Sequence, residues 1–182
     1  PRADLARIKG DSGSKVWLVL ASDFQCPACK YWHETVSAEL VRDYVATGKV
    51  RFAYVNFPLS QHQNSRPAAE AAMCAGAQGK FWEVQDGVFK AQEQWATAPD
   101  ATLLFRQIAL AAGVDTAAWN QCLIDDVMLP IIEADYQRGV AGGVNETPSF
   151  FVGSSMISGG APASRFRPLL DAAIAQAGGG NR

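Results

Sequence analysis

Two cysteines three positions apart are the residues of this sequence whose types and spacing most directly indicate chemistry. The tetrapeptide Cys26-Pro27-Ala28-Cys29 stands where an apolar run, Val16 to Ala21, gives way to a helical pattern. On the first turn of a helix, residues at this spacing share one face, so their sulfurs can close a small disulfide ring. The spacing therefore predicts a dithiol that can be oxidised to a disulfide.

The place of Cys26 at the start of the predicted helix favours this cysteine as the nucleophile. Unpaired backbone N–H groups and the positive end of the helix dipole stabilise a thiolate there and lower the pKa of the thiol. Pro27 supports the placement, because a proline at the first helical position loses no needed donor and has a helical φ already. Cys29, one turn deeper, is expected to be shielded and to act as the resolving thiol.

Composition predicts a folded domain and argues against several classes of partner. The 182 residues are 48% hydrophobic, enough for a full core, and the net charge is −2. No Lys/Arg cluster indicates binding to nucleic acid or to an anionic membrane surface. No apolar run approaches the roughly 18 to 20 residues that span a bilayer, and no signal-peptide pattern opens the chain. Because the chain begins with Pro1 and not with Met, we expect a processed or trimmed product.

The other two cysteines, Cys74 and Cys122, leave two interpretations open on the residues alone. A disulfide between them would stabilise the fold by about 4 kcal/mol in the loop-entropy model, and would imply an oxidising compartment. The alternative is a pair of buried thiols on helices, since free cysteine is commonly buried.

The residues around the CxxC motif predict a strand, a helix and a second strand. Val16 to Ala21 is apolar on both faces, which is typical of a central strand covered on both sides. Val50 to Phe57 predicts the second strand, and a right-handed parallel crossover would connect the two. Between them, large hydrophobic residues recur at helical spacing, namely Trp32, Val36, Leu40 and Tyr44.

The middle of the chain, from Pro67 to about Gly139, is Ala-rich and predicts an all-helical insertion. The boundaries predicted inside it are a helix over Lys80 to Ala91, N-caps at Asp100 and Asp115, and a start or kink at Pro130. Trp82 and Trp119 fall at helical spacing and, like Trp32, are predicted to lie in the core.

After Gly142-Gly143 the pattern changes to short strands. Ser149 to Val152 and Met156 to Ser158 predict a hairpin that turns at Gly153-Ser154. Ser164 is then predicted to cap a C-terminal helix that runs to about Gln176.

A strand leading into a CxxC helix, a helical insertion, and a Thr147-Pro148 step before a hairpin together resemble the DsbA-like disulfide oxidoreductases of the thioredoxin-fold superfamily. The most specific segments are Ser22 to Cys29 and Gly143 to Val152, and the resemblance covers nearly the whole chain. It implies an α/β thioredoxin fold, a central mixed sheet flanked by helices, with an all-helical insertion. The implied bounds are 1–61 and 140–182 for the thioredoxin-like domain and 62–139 for the insertion.

The resemblance also implies site residues beyond the cysteines. Pro148 would be cis and face the two sulfurs, Thr147 would offer its backbone to a substrate chain, and Pro27 and Ala28 would complete the substrate-binding set. A cis bend would expose the edge of the following strand, so an extended peptide could add to it by β-augmentation. Some relatives carry a structural disulfide in the insertion, which favours a bond between Cys74 and Cys122.

The implied reaction is thiol–disulfide exchange, in which the Cys26–Cys29 disulfide is donated to reduced or unfolded cysteine-containing polypeptides. The implied setting is a monomer in the periplasm or another extracytoplasmic compartment, reoxidised by a quinone-linked membrane protein, with no cofactor and no metal. A reductase or isomerase on the same fold is the first alternative, favoured by Ala28 and by the polar Thr147. A non-enzymatic zinc-binding module is the second, and it would need two further ligands.

Two residues depart from the pattern of that family. Ala28 stands where the best-known members carry histidine, so we expect Cys26 to be less acidic and the disulfide less oxidising. Leu20 stands where thioredoxin-fold enzymes commonly place a buried carboxylate that moves protons for the buried cysteine. Water, or Asp23, would have to serve Cys29 instead, so we expect slower reactions wherever Cys29 must ionise.

The remaining polar residues give weaker signals. His33 is predicted to be a half-exposed helix histidine, His62 lies in a loop without a partner at ligand spacing, and Lys30 is predicted to be a solvated surface residue. Asp125-Asp126 and Glu133 form no recognisable metal or catalytic pair.

Overall fold

A five-stranded mixed sheet forms the centre of the fold in the computed structural model, which describes residues 2–179. The strands are β1 (Ile8–Lys9), β2 (Trp17–Ser22), β3 (Arg51–Asn56), β4 (Ser149–Val152) and β5 (Ser155–Ser158). Their order is β1-β3-β2-β4-β5; β2 and β3 run parallel, and the other neighbouring pairs are antiparallel. The predicted fold class and the parallel crossover are confirmed. Pro1 and residues 180–182 of the predicted domain bounds lie outside the described residues.

Helices flank the sheet and occupy the long connection between β3 and β4. Those outside this connection are α1 (Arg2–Ala6), α2 (Pro27–Trp32), α3 (Ala38–Leu40) and α10 (Ala163–Gly179). Those inside it are α4 (Ser65–Gly76), α5 (Phe81–Lys90), α6 (Gln92–Trp95), α7 (Thr102–Ala111), α8 (Thr116–Ile124) and α9 (Leu129–Ala141). α2 and α3 belong to one continuous helix that includes the π-helical segments His33–Ser37 and Val41–Val45. The division of the chain at 61/62 and 139/140 stays a prediction.

Most sequence-predicted elements are present, with small shifts at their ends. Asp115 caps α8 as predicted, because its Oδ1 accepts hydrogen bonds from the N–H groups of Ala117 and Ala118. The predicted cap at Ser164 is wrong, since α10 begins one residue earlier at Ala163. The pattern gave no sign of α1 and β1, which are too short to show a period.

β2 is the central strand because both of its edges are paired and its residues are mostly buried. Trp32 of α2 lies against this part of the sheet, with its ring 4.6 Å from that of Phe150 and 5.9 Å from that of Phe166. Trp32 and Trp119 are buried core residues as predicted, whereas Trp82 is only partly buried, with Lys9 Nζ 4.1 Å from its ring. This packing fixes the helix that begins at the CxxC motif.

A buried ion pair ties α9 to the sheet. The carboxylate of Asp135 on α9 contacts the guanidinium of Arg7 and accepts hydrogen bonds from Asn56 N and Nδ2 at 3.1 and 3.0 Å. One turn later, Gly139 lets α9 lie directly on Phe57, because a Cβ at this glycine would stand 2.6 Å from the ring. α9 therefore returns the chain to the sheet at a fixed place just before β4.

Cys74 of α4 and Cys122 of α8 are joined by a disulfide, with their Cα atoms 5.9 Å apart. Cys74 is almost fully buried in the insertion, on a helix whose residues are largely buried. The bond closes a loop of 48 positions and ties together two helices separated in sequence by α5, α6 and α7.

Replacement of both insertion cysteines by serine should destabilise the protein. The double variant Cys74→Ser/Cys122→Ser frees the unfolded chain from a loop of 48 positions, so we expect a loss of up to about 4 kcal/mol in the free energy of unfolding. Urea unfolding of the two proteins, with Cys26 and Cys29 reduced in both, measures the difference. An unchanged midpoint and slope would contradict a stabilising role for this bond.

Candidate active site

β2 delivers the chain to the CxxC motif near the middle of the sheet. Cys26 is the N-cap residue of α2, with an extended backbone (φ −71°, ψ 121°), and Pro27 occupies the first helical turn. The N–H groups of Cys29 and Lys30 donate to the Cys26 carbonyl at 3.1 Å each. The structure thus places the motif at the start of a helix, as its spacing predicts.

The two sulfurs are free thiols in different electrostatic surroundings. A hydrogen bond from the Cys29 side chain is the main cause that lowers the pKa of Cys26 to about 6. Burial opposes it, and the Thr147 side chain and the backbone N–H groups of Cys29 and Ala28 add to it. Burial raises the pKa of Cys29 well above its ordinary value, and the neighbouring Cys26 raises it further. Near neutral pH the outer sulfur is therefore a thiolate, and the inner one keeps its proton.

Thr147 borders the outer sulfur from the opposite side of the site. The peptide bond between Thr147 and Pro148 is cis, and the Thr147 carbonyl accepts a hydrogen bond from Cys26 Sγ at 3.3 Å. Only the protonated thiol can donate this bond, so ionisation of Cys26 releases the carbonyl. Pro27 and Ala28 are exposed beside Cys26, whereas Thr147 and Pro148 are buried. The structure therefore brings all the sequence-predicted site residues of the thioredoxin-like part together.

The predicted β-augmentation on the strand after Pro148 is wrong, because this strand has no free edge. β4 pairs with β2 on one side and with β5 on the other, and Ser149 has a partner in each. The Pro148 carbonyl is also occupied, since it accepts from Gly159 N at 2.8 Å. The backbone that borders Cys26 is that of Thr147, before the strand.

The helical insertion holds the CxxC loop in place through side-chain amides. Gln92 Nε2 donates to the carbonyls of Phe24 and Cys26 at 2.7 and 3.1 Å. Gln25 Nε2 donates to the Ala96 carbonyl at 2.8 Å, and its Oε1 accepts from Asn64 N at 2.7 Å. Sequence reasoning missed these residues, because a glutamine gives no local signal of a partner that lies 39 to 71 positions away along the chain.

Asp23 anchors the same loop from below with a carboxylate that is fully buried. Its Oδ1 accepts from Gln25 N and Ser65 Oγ at 2.7 and 2.6 Å, and its Oδ2 accepts from Leu59 N at 2.8 Å. His62 Nδ1 lies 2.7 Å from Oδ2, so this histidine has a partner that its isolated position in the sequence does not predict. Asp23 thus links the CxxC loop to the start of α4 through hydrogen bonds.

The other polar candidates do not face the sulfurs. His33 is less exposed than predicted, because its ring stacks on Phe89 at 4.9 Å and its Nε2 lies 3.1 Å from Asp86. Lys30 pairs with Glu93 at 2.9 Å. Asp125 accepts hydrogen bonds from Gln121, and Glu133 pairs with Arg66 at 3.4 Å. These residues therefore make contacts at the surface of the fold.

Within residues 2–179, no group of three or more His, Cys, Asp or Glu side chains could hold a metal ion. A zinc-binding module built on Cys26 and Cys29 therefore finds no further ligands among them. None of the described helices has the length and apolarity to cross a membrane.

Comparison with known sequences identifies relatives named for disulfide chemistry. The "Putative protein-disulfide oxidoreductase" of Rickettsia bellii is 30% identical over 146 residues, which are 80% of this chain and 56% of that protein. The "Probable disulfide bond formation protein D" of Bacillus anthracis is 33% identical over 93 residues, 48% of this chain and 43% of that protein. The chain thus spans about half the length of these curated relatives.

Solved structures share the fold. Oxidised BdbD from Bacillus subtilis matches with a TM-score of 0.84 at 20% identity, over 93% of this chain and 92% of that one. Wolbachia pipientis α-DsbA1 matches with a TM-score of 0.82 at 23% identity, over 94% and 92%. The sequence model of the protein family described as "Thioredoxin" matches residues 4–172, and with this match over most of its length the chain belongs to that family.

Proposed function

We propose that this protein is a thiol:disulfide oxidoreductase that donates the Cys26–Cys29 disulfide to cysteine-containing polypeptides. The unequal pair of sulfurs carries the proposal: the pKa of Cys26 is lowered to about 6, while that of Cys29 is raised well above its ordinary value. Neighbouring thiols whose pKa values differ this strongly are typical of redox-active sites. A buried structural cysteine needs no such difference. The names of the relatives support the same chemistry.

The proposed reaction proceeds through a mixed disulfide. A substrate thiolate attacks Cys26 Sγ, the Cys26–Cys29 bond breaks, and Cys29 leaves as a thiolate that takes a proton from water. A second substrate thiolate then attacks the substrate sulfur, and Cys26 leaves as a thiolate. Two electrons pass from the substrate cysteines to the protein, which ends as the dithiol. Cys26 is proposed as the attacked sulfur because it is 6% exposed and lies beside the exposed Pro27 and Ala28, whereas Cys29 is 2% exposed.

The Thr147 carbonyl, which receives no hydrogen bond from Cys26 in the disulfide form because that sulfur then carries no proton, is proposed to bind the substrate backbone, with Pro27, Ala28 and Pro148 bordering the bound chain. Contacts with backbone would make recognition depend little on substrate sequence. Tyr31, which is 61% exposed one turn beyond Ala28, adds an apolar surface next to this border. Reduced or unfolded polypeptides fit such a site.

The direction of exchange follows from which form of the pair is stabilised. A stabilised Cys26 thiolate favours the dithiol over the disulfide, so the disulfide form is a donor. The Cys74–Cys122 disulfide supports an extracytoplasmic, oxidising location. A monomeric state and reoxidation by a quinone-linked membrane protein complete the proposal and rest on the family resemblance.

The pKa of Cys26 should depend on Cys29. Since the Cys29 hydrogen bond is its largest stabilising cause, Cys29→Ala should raise the pKa of Cys26 from about 6 toward the ordinary value. Ultraviolet absorbance of the thiolate, followed against pH in the reduced protein, measures this value. Cys26→Ser is the matched control and should show no thiolate that titrates near pH 6. An equal titration in wild type and Cys29→Ala would remove the sulfur–sulfur hydrogen bond from the mechanism.

The stability of the dithiol form should rise with pH in a defined window. The folded-state pKa of Cys26, about 6, is depressed below its ordinary value of 9.0. Its contribution to stability is therefore fully present above the ordinary value and is lost as the pH falls through about 6. The difference in unfolding free energy between reduced wild type and Cys26→Ser should grow across this window. A difference that is flat with pH would contradict the assigned thiolate.

The redox equilibrium of the Cys26–Cys29 pair against glutathione buffers tests the proposed direction. Strong and moderate disulfide donors have reduction potentials of about −120 to −180 mV, and we expect a value in this range. Ala28→His should make the pair more oxidising, because histidine adds a donor or a positive charge near the thiolate. Thiol trapping, with the state of Cys74 and Cys122 checked by mass, measures both proteins. A potential near about −270 mV would mean a thioredoxin-like reductase instead.

A further inference from the structure

The face of the sheet that packs into the same core as Cys29 carries two buried hydroxyl groups, those of Ser22 and Tyr54. Leu20 and Ser22 lie on the same face of β2, because alternate residues of a strand share a face. Tyr54 is the register partner of Leu20 on β3, and Phe150 is its partner on β4. The apolar Leu20 is therefore flanked by the phenol of Tyr54 and followed, toward the CxxC motif, by the hydroxyl of Ser22.

The Tyr54 hydroxyl is buried without a hydrogen-bond partner among the described residues. The residue is 1% exposed, and its ring packs against those of Phe24 and Phe81 at 5.2 and 5.3 Å. A phenylalanine would make the same ring contacts without leaving a polar atom unpaired, which costs free energy. The hydroxyl therefore calls for a partner that exists in another state of the site.

Ser22 interacts electrostatically with both this phenol and Cys29. The Ser22 side chain opposes the rise in the pKa of Cys29 and in that of Tyr54, although its hydroxyl makes no hydrogen bond with the Tyr54 hydroxyl in this structure. Burial raises the pKa of Tyr54 well above its ordinary value, and negative charge on Cys29, Asp23 or Cys26 raises it further. Tyr54 thus keeps its proton near neutral pH, and its hydroxyl can only donate to a nearby thiolate, never act as a base.

The Asp23 backbone N–H also lowers the pKa of Cys29, but the other side chains near Cys29 are unsuitable for the same task. Leu20 is apolar, and the Asp23 carboxylate is occupied by Gln25 N, Ser65 Oγ, Leu59 N and His62 Nδ1. Cys26 carries negative charge when ionised and therefore disfavours a second thiolate next to it.

We propose that the hydroxyls of Ser22 and Tyr54 stabilise Cys29 in its thiolate form, Ser22 at the sulfur and Tyr54 as a positioning residue that donates through Ser22. This inference rests on the proposed function. When the disulfide is donated, Cys29 leaves as a thiolate as the substrate sulfur bonds to Cys26. In the reverse direction, the Cys29 thiolate attacks Cys26 Sγ and the substrate thiolate leaves. The proton of Cys29 is exchanged with water in both cases, and the two hydroxyls keep their own.

An aromatic disulfide that releases a coloured thiolate separates the two steps in the reduced protein. Attack by Cys26 releases one coloured thiolate and leaves a mixed disulfide; attack by Cys29 on Cys26 Sγ then releases the second. In Tyr54→Phe the first phase should be unchanged. The second should be about tenfold slower near neutral pH, and its pH profile should move upward by about one unit, as expected for a lost hydrogen bond to a charged group.

Tyr44→Phe is the matched control, because the Tyr44 hydroxyl donates to Asp171 at 2.9 Å, and both phases should match wild type. Ser22→Ala should slow the second phase in the same way. The double variant Ser22→Ala/Tyr54→Phe should be no slower than the more affected single variant, since both act through one contact.

Two outcomes would overturn the inference while leaving the proposed function intact. One is a second phase in Tyr54→Phe that equals wild type at every pH. The other is an equal slowing of both phases, which would indicate a structural role of the phenol. The pH dependence of the first-phase rate in the wild-type protein tests the proposed function itself. If this rate does not follow the ionisation of a thiol with a pKa of about 6, the proposed function is contradicted, and this inference with it.

Discussion

The hydrogen bond between the two sulfurs of the CxxC motif is the interaction on which the site depends. It is the largest cause of the lowered pKa of Cys26, and it exists only while Cys29 remains a thiol. Burial keeps Cys29 protonated, so the desolvation that prevents the inner sulfur from ionising also keeps it available as a donor to the outer one. The pKa values of both cysteines therefore depend on how completely Cys29 is buried at the start of the helix.

Several contacts within the fold keep Cys29 buried. β2 is paired on both edges, and Trp32 fixes the helix that follows the motif against Phe150. Asp23 holds the loop from below, while Gln92 holds it from the insertion. The helical insertion thus helps to position the CxxC motif, and its own disulfide joins α4 to α8 within that insertion.

Local patterns in the sequence predicted what depends on neighbours along the chain. The CxxC helix start, the central strand, the hairpin and the Asp115 cap all have signals within a few residues. Contacts across long sequence separations left no such signal: Gln92 with Cys26, His62 with Asp23, and Tyr54 near Cys29 are placed by tertiary packing. The free edge expected after Pro148 was wrong for the same reason, because strand order decides which edges are covered.

The two departures from the family pattern, Ala28 and Leu20, act on Cys26 in opposite senses. A histidine at position 28 would stabilise the thiolate, so alanine there removes a favourable interaction. A carboxylate at position 20 would bring negative charge under both sulfurs and disfavour the thiolate, so leucine removes an unfavourable one. The pKa of Cys26 can therefore remain near 6 without the histidine. The consequence falls on Cys29, because Leu20 offers it no polar group and the donors that lower its pKa, the Ser22 side chain and the Asp23 backbone N–H, are neutral. In this chain the outer sulfur should react readily, and ionisation of the inner sulfur should limit the exchange.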